Sequence, residues 1–155
     1  MVCEKRYAIQ ANRYQGRRND RHLCLDRINE SIGYDTTKDE MKIRFTNIQN
    51  HEDYKTFVAT TDTQVVGMVG MTKNYFYERN GIYVRVLALV TMKGFRQNGI
   101  GRKLMEASEK WAIEIGADTI LLNCGNREER TIAQQFYQKL GYQIKSSGFI
   151  KKVHH

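Results

Sequence analysis

Proline is missing altogether from the 155 residues, where average usage would supply about eight. Cysteine is scarce: Cys3, Cys24 and Cys124 are odd in number and include no C-x-x-C pair, so no disulfide framework is expected. The chain opens without the basic segment and apolar core of a secretory leader, which together with the cysteine usage makes the expected setting reducing and cytoplasmic. Its four histidines form no metal-ligand pattern, so no metal is expected. No apolar run approaches the roughly 18 residues of a membrane helix, so no membrane is expected among its partners. With 41% hydrophobic and 27% charged residues, the composition is neither fibrous nor disordered.

Acidic residues are also in short supply, 17 against 25 Lys and Arg, for a formal +8. The excess sits at the two ends: +4 over residues 1–27, −1 over 28–92 and +5 over 93–155. Lys93, Arg96, Arg102 and Lys103 lie within eleven positions that hold no acid, which suggests an anionic ligand as readily as a solvated basic surface. There is no internal repeat, low-complexity tract or linker-like shift. The chain reads as one domain over 1–153, with His154-His155 resembling a tag remnant.

Hydrophobic periodicity orders the elements. A short strand at Tyr7–Gln10 precedes a helix from about Asn19 to Ile32, and a second helix opens on Thr37-Lys38-Asp39-Glu40, which has capping-box spacing. That second helix carries Met41, Phe45 and Ile48 on one stripe and ends near Asn50. Thr56–Thr60 and Val65–Met71 read as an antiparallel hairpin, and Ile82–Val90 is the strongest strand, alternating first and continuously apolar later. A helix follows from near Gly99, with Ile100, Leu104, Ala107, Trp111 and Ile115 at helical spacing and Gly116 as its stop. Thr119–Cys124 reads as a strand, and about Glu128 to Leu140 as a helix with Ile132, Ala133, Phe136 and Leu140 inward. Tyr142–Lys145 and Phe149–Val153 could close the chain as a hairpin. The order β-α-α-β-β-β-α-β-α-β-β makes an α/β protein with a mixed sheet.

Between the strand ending at Val90 and the helix starting near Gly99 lies Arg96-Gln97-Asn98-Gly99-Ile100-Gly101, an R-x-x-G-x-G sequence. Glycines at such a junction let the backbone approach a ligand and free several N–H groups, and the helix N-terminus adds partial positive charge. Arg102 and Lys103 oppose the helix dipole there unless an anion is present. A Walker A loop would need Lys and a hydroxyl where Ile100-Gly101 stand, and a dinucleotide fingerprint a glycine where Leu104 stands.

The run 82–105, the Trp111-Ala112 helix, the strand TILLNC and the segment REERTIAQQFYQKLGY together resemble the GNAT superfamily of acyl-CoA-dependent N-acyltransferases. Arg96–Gly101 matches that family's Q/R-x-x-G-x-G/A pyrophosphate loop, and Ala133–Tyr142 is similar to its A-x-x-F-Y-x-K-L-G-F/Y segment. The resemblance implies a mostly antiparallel mixed sheet flanked by helices, with a splayed strand pair that binds acyl-CoA. It implies that backbone groups at Leu89 and Val90 meet the pantetheine arm. Arg96, Gln97, Asn98, Gly99, Ile100, Gly101 and Arg102 would bind the diphosphate of acetyl-CoA, the expected cosubstrate. Tyr137 would be the catalytic acid, because an amine attacking a thioester expels a thiolate that needs a proton.

The departures from the family pattern are specific. Met92 stands where the family often has proline, with the spacing to Arg96 one residue longer; Thr131 stands where an asparagine is common, and no carboxylate lies on 82–90 to serve as base. Glu78, Tyr83 or a water are the candidates for that role. Tyr75, Phe76 and Tyr77 could wall an amine acceptor through cation–π contact. The expected activity is N-acetyl transfer from acetyl-CoA to a primary amine in a ternary complex, with a homodimer admitted. The alternatives are a non-catalytic acyl-CoA-binding protein and, less favoured, a nucleic-acid-binding protein suggested by Arg13, Arg17, Arg18 and Arg21.

Overall fold

The structure, a computed structural model, describes residues 7–11, 36–62, 64–124, 130–146 and 148–153. They form two compact units, one ending at Leu121 and the other starting at Leu122. The helix expected at 19–32 lies outside the described residues. Among the described residues no helix is long and apolar enough to cross a membrane.

In the first unit, Thr37 caps helix α1 (Lys38–Gln49). The Thr37 hydroxyl accepts the Glu40 N–H at 3.3 Å and the Glu40 carboxylate accepts the Thr37 N–H at 2.8 Å, so two N-terminal donors are satisfied reciprocally. Those hydrogen bonds, the backbone one foremost, hold the Glu40 carboxyl below its ordinary range. Met41 and Phe45, one turn apart, are buried against Val58 and Met68, with Val65 and Val90 at the margin.

The sheet runs β1 (Ala8–Ala11), β2 (Tyr54–Thr60), β3 (Val65–Tyr75), β4 (Ile82–Thr91), β5 (Ala117–Leu122), in that spatial order. The first four form an antiparallel meander, with Val58 opposite Met68 and Met68 opposite Val90. Because successive side chains of a strand alternate faces, Met68 and Gly67 point to opposite sides. Met68 lies on the α1 side, while a Cβ at Gly67 would stand 3.0 Å from Ile100 Cγ2 and 3.2 Å from Leu104 Cδ1. Helix α2 (Ile100–Glu114) therefore covers the other face, and Gly67 is what lets it come so close. Ile100, Leu104, Met105, Ser108, Trp111 and Ala112 are its buried residues, and the Ser108 hydroxyl is satisfied by the Leu104 carbonyl at 2.9 Å. With helices on both faces, β3 is buried almost without interruption from Val66 to Met71.

A β-bulge redirects β4. Gly70 pairs with Ala88 and Met71 with Val86, which leaves Leu87 without an opposite residue on β3. Val86 therefore shares Met71's face, on the α2 side, whereas Ala88 and Val90 share that of Gly70 and Met68, on the α1 side. The change from alternation to a continuous apolar run in this strand's sequence is the trace of that switch.

Strand β5 begins just after α2, whose C-terminus closes on Gly116 at φ 77°. Asp118, its second residue, meets Arg79 from the turn preceding β4 at 2.7 Å. Ten residues of β4 span roughly 33 Å, so neighbouring strands whose starts are joined by one side-chain pair must run in the same direction. This parallel pair makes the sheet mixed, and α2 is the crossover that such a pair requires.

The second unit contains α3 (Thr131–Lys139). Its half-buried residues include Ala133, Phe136, Tyr137 and Leu140, while Ile132, expected inward, is 79% exposed. The i, i+3, i+4, i+7 set starts at 133, and Ile132 lies one position out of phase. The expected closing hairpin is not formed: the described residues of 142–153 have no strand pairing, and Ile144, Phe149, Ile150 and Val153 are exposed. A β-like apolar pattern there lacks the ladder partner that a strand needs.

Candidate active site

The β4–α2 connection starts by extending the sheet: the Met92 N–H donates to the Val66 carbonyl at 2.9 Å. Met92 has φ −57°, a value that proline also adopts, but its N–H is in use. Methionine at this position therefore keeps a ladder bond that proline would remove. A single 3₁₀ turn over Lys93–Phe95 follows, and the Arg96 Nε–H reaches back to the Thr91 carbonyl at 3.4 Å.

The backbone then turns left-handed twice. Gln97 has φ 65°, which is uncommon for a residue with a side chain, and Gly99, the N-cap of α2, has φ 76°. Helices are usually headed by a side chain that accepts the first amides, yet Gly99 offers none, and the first α2 bond runs from Lys103 N–H to Gly99 carbonyl at 3.1 Å. The amides of Ile100, Gly101 and Arg102 precede that bond and have no partner within the helix. The first turn holds no acid, and Arg102 and Lys103 stand exposed on it. Left-handed turns, uncapped amides and the positive end of the dipole together make an anion cradle. Ile100 anchors it: its side chain is 1% exposed and lies under Gly67.

Each loop residue expected from the sequence falls in this arrangement. Arg96, Gln97, Asn98, Gly99 and Arg102 are exposed, Gly101 is half-buried, and Ile100 can contribute only backbone. Leu89 and Val90 are half-buried on β4 beyond the bulge. The cradle fits the diphosphate of a coenzyme A molecule in charge and donor type.

Tyr137 lies in the second unit, three residues before the C-cap of α3. That helix ends in a Schellman motif: Gly141 has φ 92°, the Gly141 N–H donates to the Gln138 carbonyl and the Tyr142 N–H to the Tyr137 carbonyl, both at 3.0 Å. The motif brings the Tyr142 ring to 6.1 Å from the Tyr137 ring, edge to face, with Phe136 at 5.2 Å. The K-L-G-Y sequence after Tyr137 thus orients that ring. Burial, with a smaller contribution from the nearby Cys124 sulfur, pushes the Tyr137 hydroxyl above its ordinary pKa, against the opposing charge of Arg130. The phenol therefore keeps its proton at neutral pH.

At the opposite end of β4 lie the three aromatic residues expected to wall an acceptor, two of them already in contact with cations of the chain. The Arg79 guanidinium lies 3.7 Å from the Phe76 ring centroid, Phe76 packs on Tyr83 at 4.7 Å, and the Lys73 ammonium sits 5.2 Å over Tyr75. The chain's own cations occupy those π faces, and Tyr77 alone stands free in solvent. Glu78 is exposed on the same turn. The Arg79–Asp118 pair was not foreseen, because residues 39 positions apart leave no local pattern.

The acetyltransferase (GNAT) family profile matches residues 21–142. A GNAT family acetyltransferase from Staphylococcus aureus is 30% identical, with 95% of this chain and 98% of that one covered and a TM-score of 0.76. Glucosamine-6-phosphate N-acetyltransferase from Arabidopsis thaliana shares the fold at 19% identity and TM-score 0.73, with 96% and 99% covered. So does AAC(6')-Iy, solved with the bisubstrate analogue CoA-S-monomethyl-acetylneamine, at 15% identity and TM-score 0.76, with 97% and 99% covered. A search of curated proteins returns no match. A family profile over most of the chain and a relative 30% identical over nearly the full length agree, and the chain belongs to the GNAT acetyltransferase family.

Proposed function

We propose that the protein transfers the acetyl group of acetyl-CoA to a primary amine by direct attack in a ternary complex. The observation that carries this reading is the cradle at Gln97–Arg102, with two left-handed residues, no N-cap side chain and no first-turn acid. When bound, acetyl-CoA supplies an electrophilic thioester carbonyl and a sulfur leaving group. Gln97, Asn98, Gly99, Ile100, Gly101 and Arg102 hold the diphosphate through their backbone amides, with the Arg96 and Arg102 guanidinium groups adding charge. Leu89 and Val90 offer backbone groups to the pantetheine arm. Tyr137 supplies a proton to the departing sulfur from its hydroxyl, which is protonated at neutral pH. The described residues of β4 contain no carboxylate to receive the ammonium proton, so water, Glu78 or Tyr83 takes that step in this reading. The Arabidopsis thaliana neighbour is named for an amino-sugar acceptor, which supports amine acceptors as a class.

The deciding experiment has two stages. Acetyl-CoA should raise the melting temperature where ATP does not, and free thiol should then be released when an amine from a panel is added. Absence of acetyl-CoA stabilisation and calorimetric binding would refute the reading; binding without thiol release for any amine would leave a non-catalytic acyl-CoA-binding protein.

A further inference from the structure

The two partners of the Arg79–Asp118 pair are each tied to a different strand. Arg79 meets the carboxylate with both arms, Nη1 to Oδ2 at 2.7 Å and Nη2 to Oδ1 at 2.8 Å. Its guanidinium carbon lies 3.7 Å from the Phe76 ring centroid, and Phe76 packs on Tyr83, the second residue of β4. Asp118 is the second residue of β5, and the Thr119 hydroxyl donates to it at 2.7 Å. Gly81 leaves the room: a Cβ there would lie 2.9 Å from Arg79 Nη1, and its φ of 135° belongs to glycine.

Both side chains remain about half exposed, and solvent-exposed pairs contribute little to stability. The bidentate fork instead defines a distance and an orientation. That distance is the separation of β4 and β5 at their starts. The anion cradle follows the other end of β4, roughly 30 Å away. In between, the bulge at Leu87 frees β4 from strict register with β3.

We propose that Arg79 and Asp118 are positioning residues that pin the starts of β4 and β5 together and so fix the course along which β4 delivers Leu89, Val90 and the cradle to the cosubstrate. This rests on the acyl-CoA reading of that end of β4. A pinned start makes the two strands a fixed-angle support, and the pantetheine arm then meets backbone groups that need no reorganisation on binding. Without the pin, the strands separate and re-register, and the cosubstrate must supply the ordering.

The test uses Arg79→Ala, Asp118→Ala, the double variant and Arg79→Lys, which keeps the charge and loses the fork. Amide hydrogen exchange of the free protein should accelerate at 88–91 and 119–121 in both single variants, with no further acceleration in the double. The KM for acetyl-CoA should rise about tenfold with kcat nearly unchanged, as expected for a lost positioning contact, and Arg79→Lys should recover part of it. Melting temperatures should fall only slightly at neutral pH, as for any solvent-exposed pair, whereas a purely structural role would lower them substantially and leave the KM-to-kcat split unmoved. Unchanged exchange and KM in both single variants, with normal acetyl-CoA affinity in the wild type, would overturn the pin and leave the functional reading standing. Wild-type protein that does not bind acetyl-CoA at all would overturn that reading and the pin's role with it.

Discussion

Tyr137 combines a ring set edge to face against Tyr142 with a hydroxyl whose pKa burial raises. If it protonates the departing thiolate, activity requires its neutral form, and rate should fall as pH climbs past the ordinary tyrosine value of about 10. Tyr137→Phe should lower kcat by about 10²-fold or more, with acetyl-CoA affinity nearly unchanged, and its pH–rate profile should lose that falling limb. Steady-state kinetics across pH with calorimetric binding checks both parts. Met92 gives a second residue-scale prediction. Its φ would suit proline, but Met92→Pro removes the N–H that satisfies the carbonyl of the fully buried Val66. Stranding a buried acceptor costs about 1–3 kcal/mol, partly offset by the stiffer unfolded chain, so urea unfolding should show a net loss.

At the scale of elements, local chemistry was legible and pairing was not. Thr37–Glu40 announced the start of α1 because the capping box is written in four consecutive residues, and both of its bonds form. Thr37→Ala should therefore destabilise the protein by about 0.5–2 kcal/mol, measured by chemical denaturation, with the loss confined to α1 in amide exchange. Gly99, Gly116 and Gly141 marked helix ends for the same local reason, and all three have positive φ. The closing hairpin at 142–153 was misread because alternation describes a strand's faces and cannot supply a partner. The left-handed Gln97 was likewise invisible, since its conformation is imposed by the loop's two anchors, the Met92 ladder bond and the buried Ile100 side chain. Of the candidate site, the residues of the cradle could be named from R-x-x-G-x-G, and its shape could not. The bulge at Leu87 left only a change of period that acquires meaning once β3 is laid beside it.

For the whole molecule, the formal +8 sets how it meets acid. Asp118 is held at a pKa of about 2, chiefly by its hydrogen bonds from Arg79 and next by that from Thr119, against a reference of 3.8. A carboxylate whose folded pKa is depressed contributes stability that is fully present above its unfolded value and is lost as pH falls through the folded one. The Arg79–Asp118 contribution should therefore hold from neutrality to about pH 4 and fade between about 4 and 2. Glu40, lowered by its bonds to Thr37, shifts in the same direction. Over that window the other acids also protonate, so an already cationic chain gains further positive charge and repels itself. Wild-type melting temperature should drop more steeply from pH 4 to 2 than from 6 to 4. Asp118→Asn should begin lower at pH 6 and converge on the wild type by about pH 2, because only the wild type has that pair to lose. Two parallel curves down to pH 2 would show that the pair carries no pH-dependent stability, and would assign the acid sensitivity to charge repulsion alone.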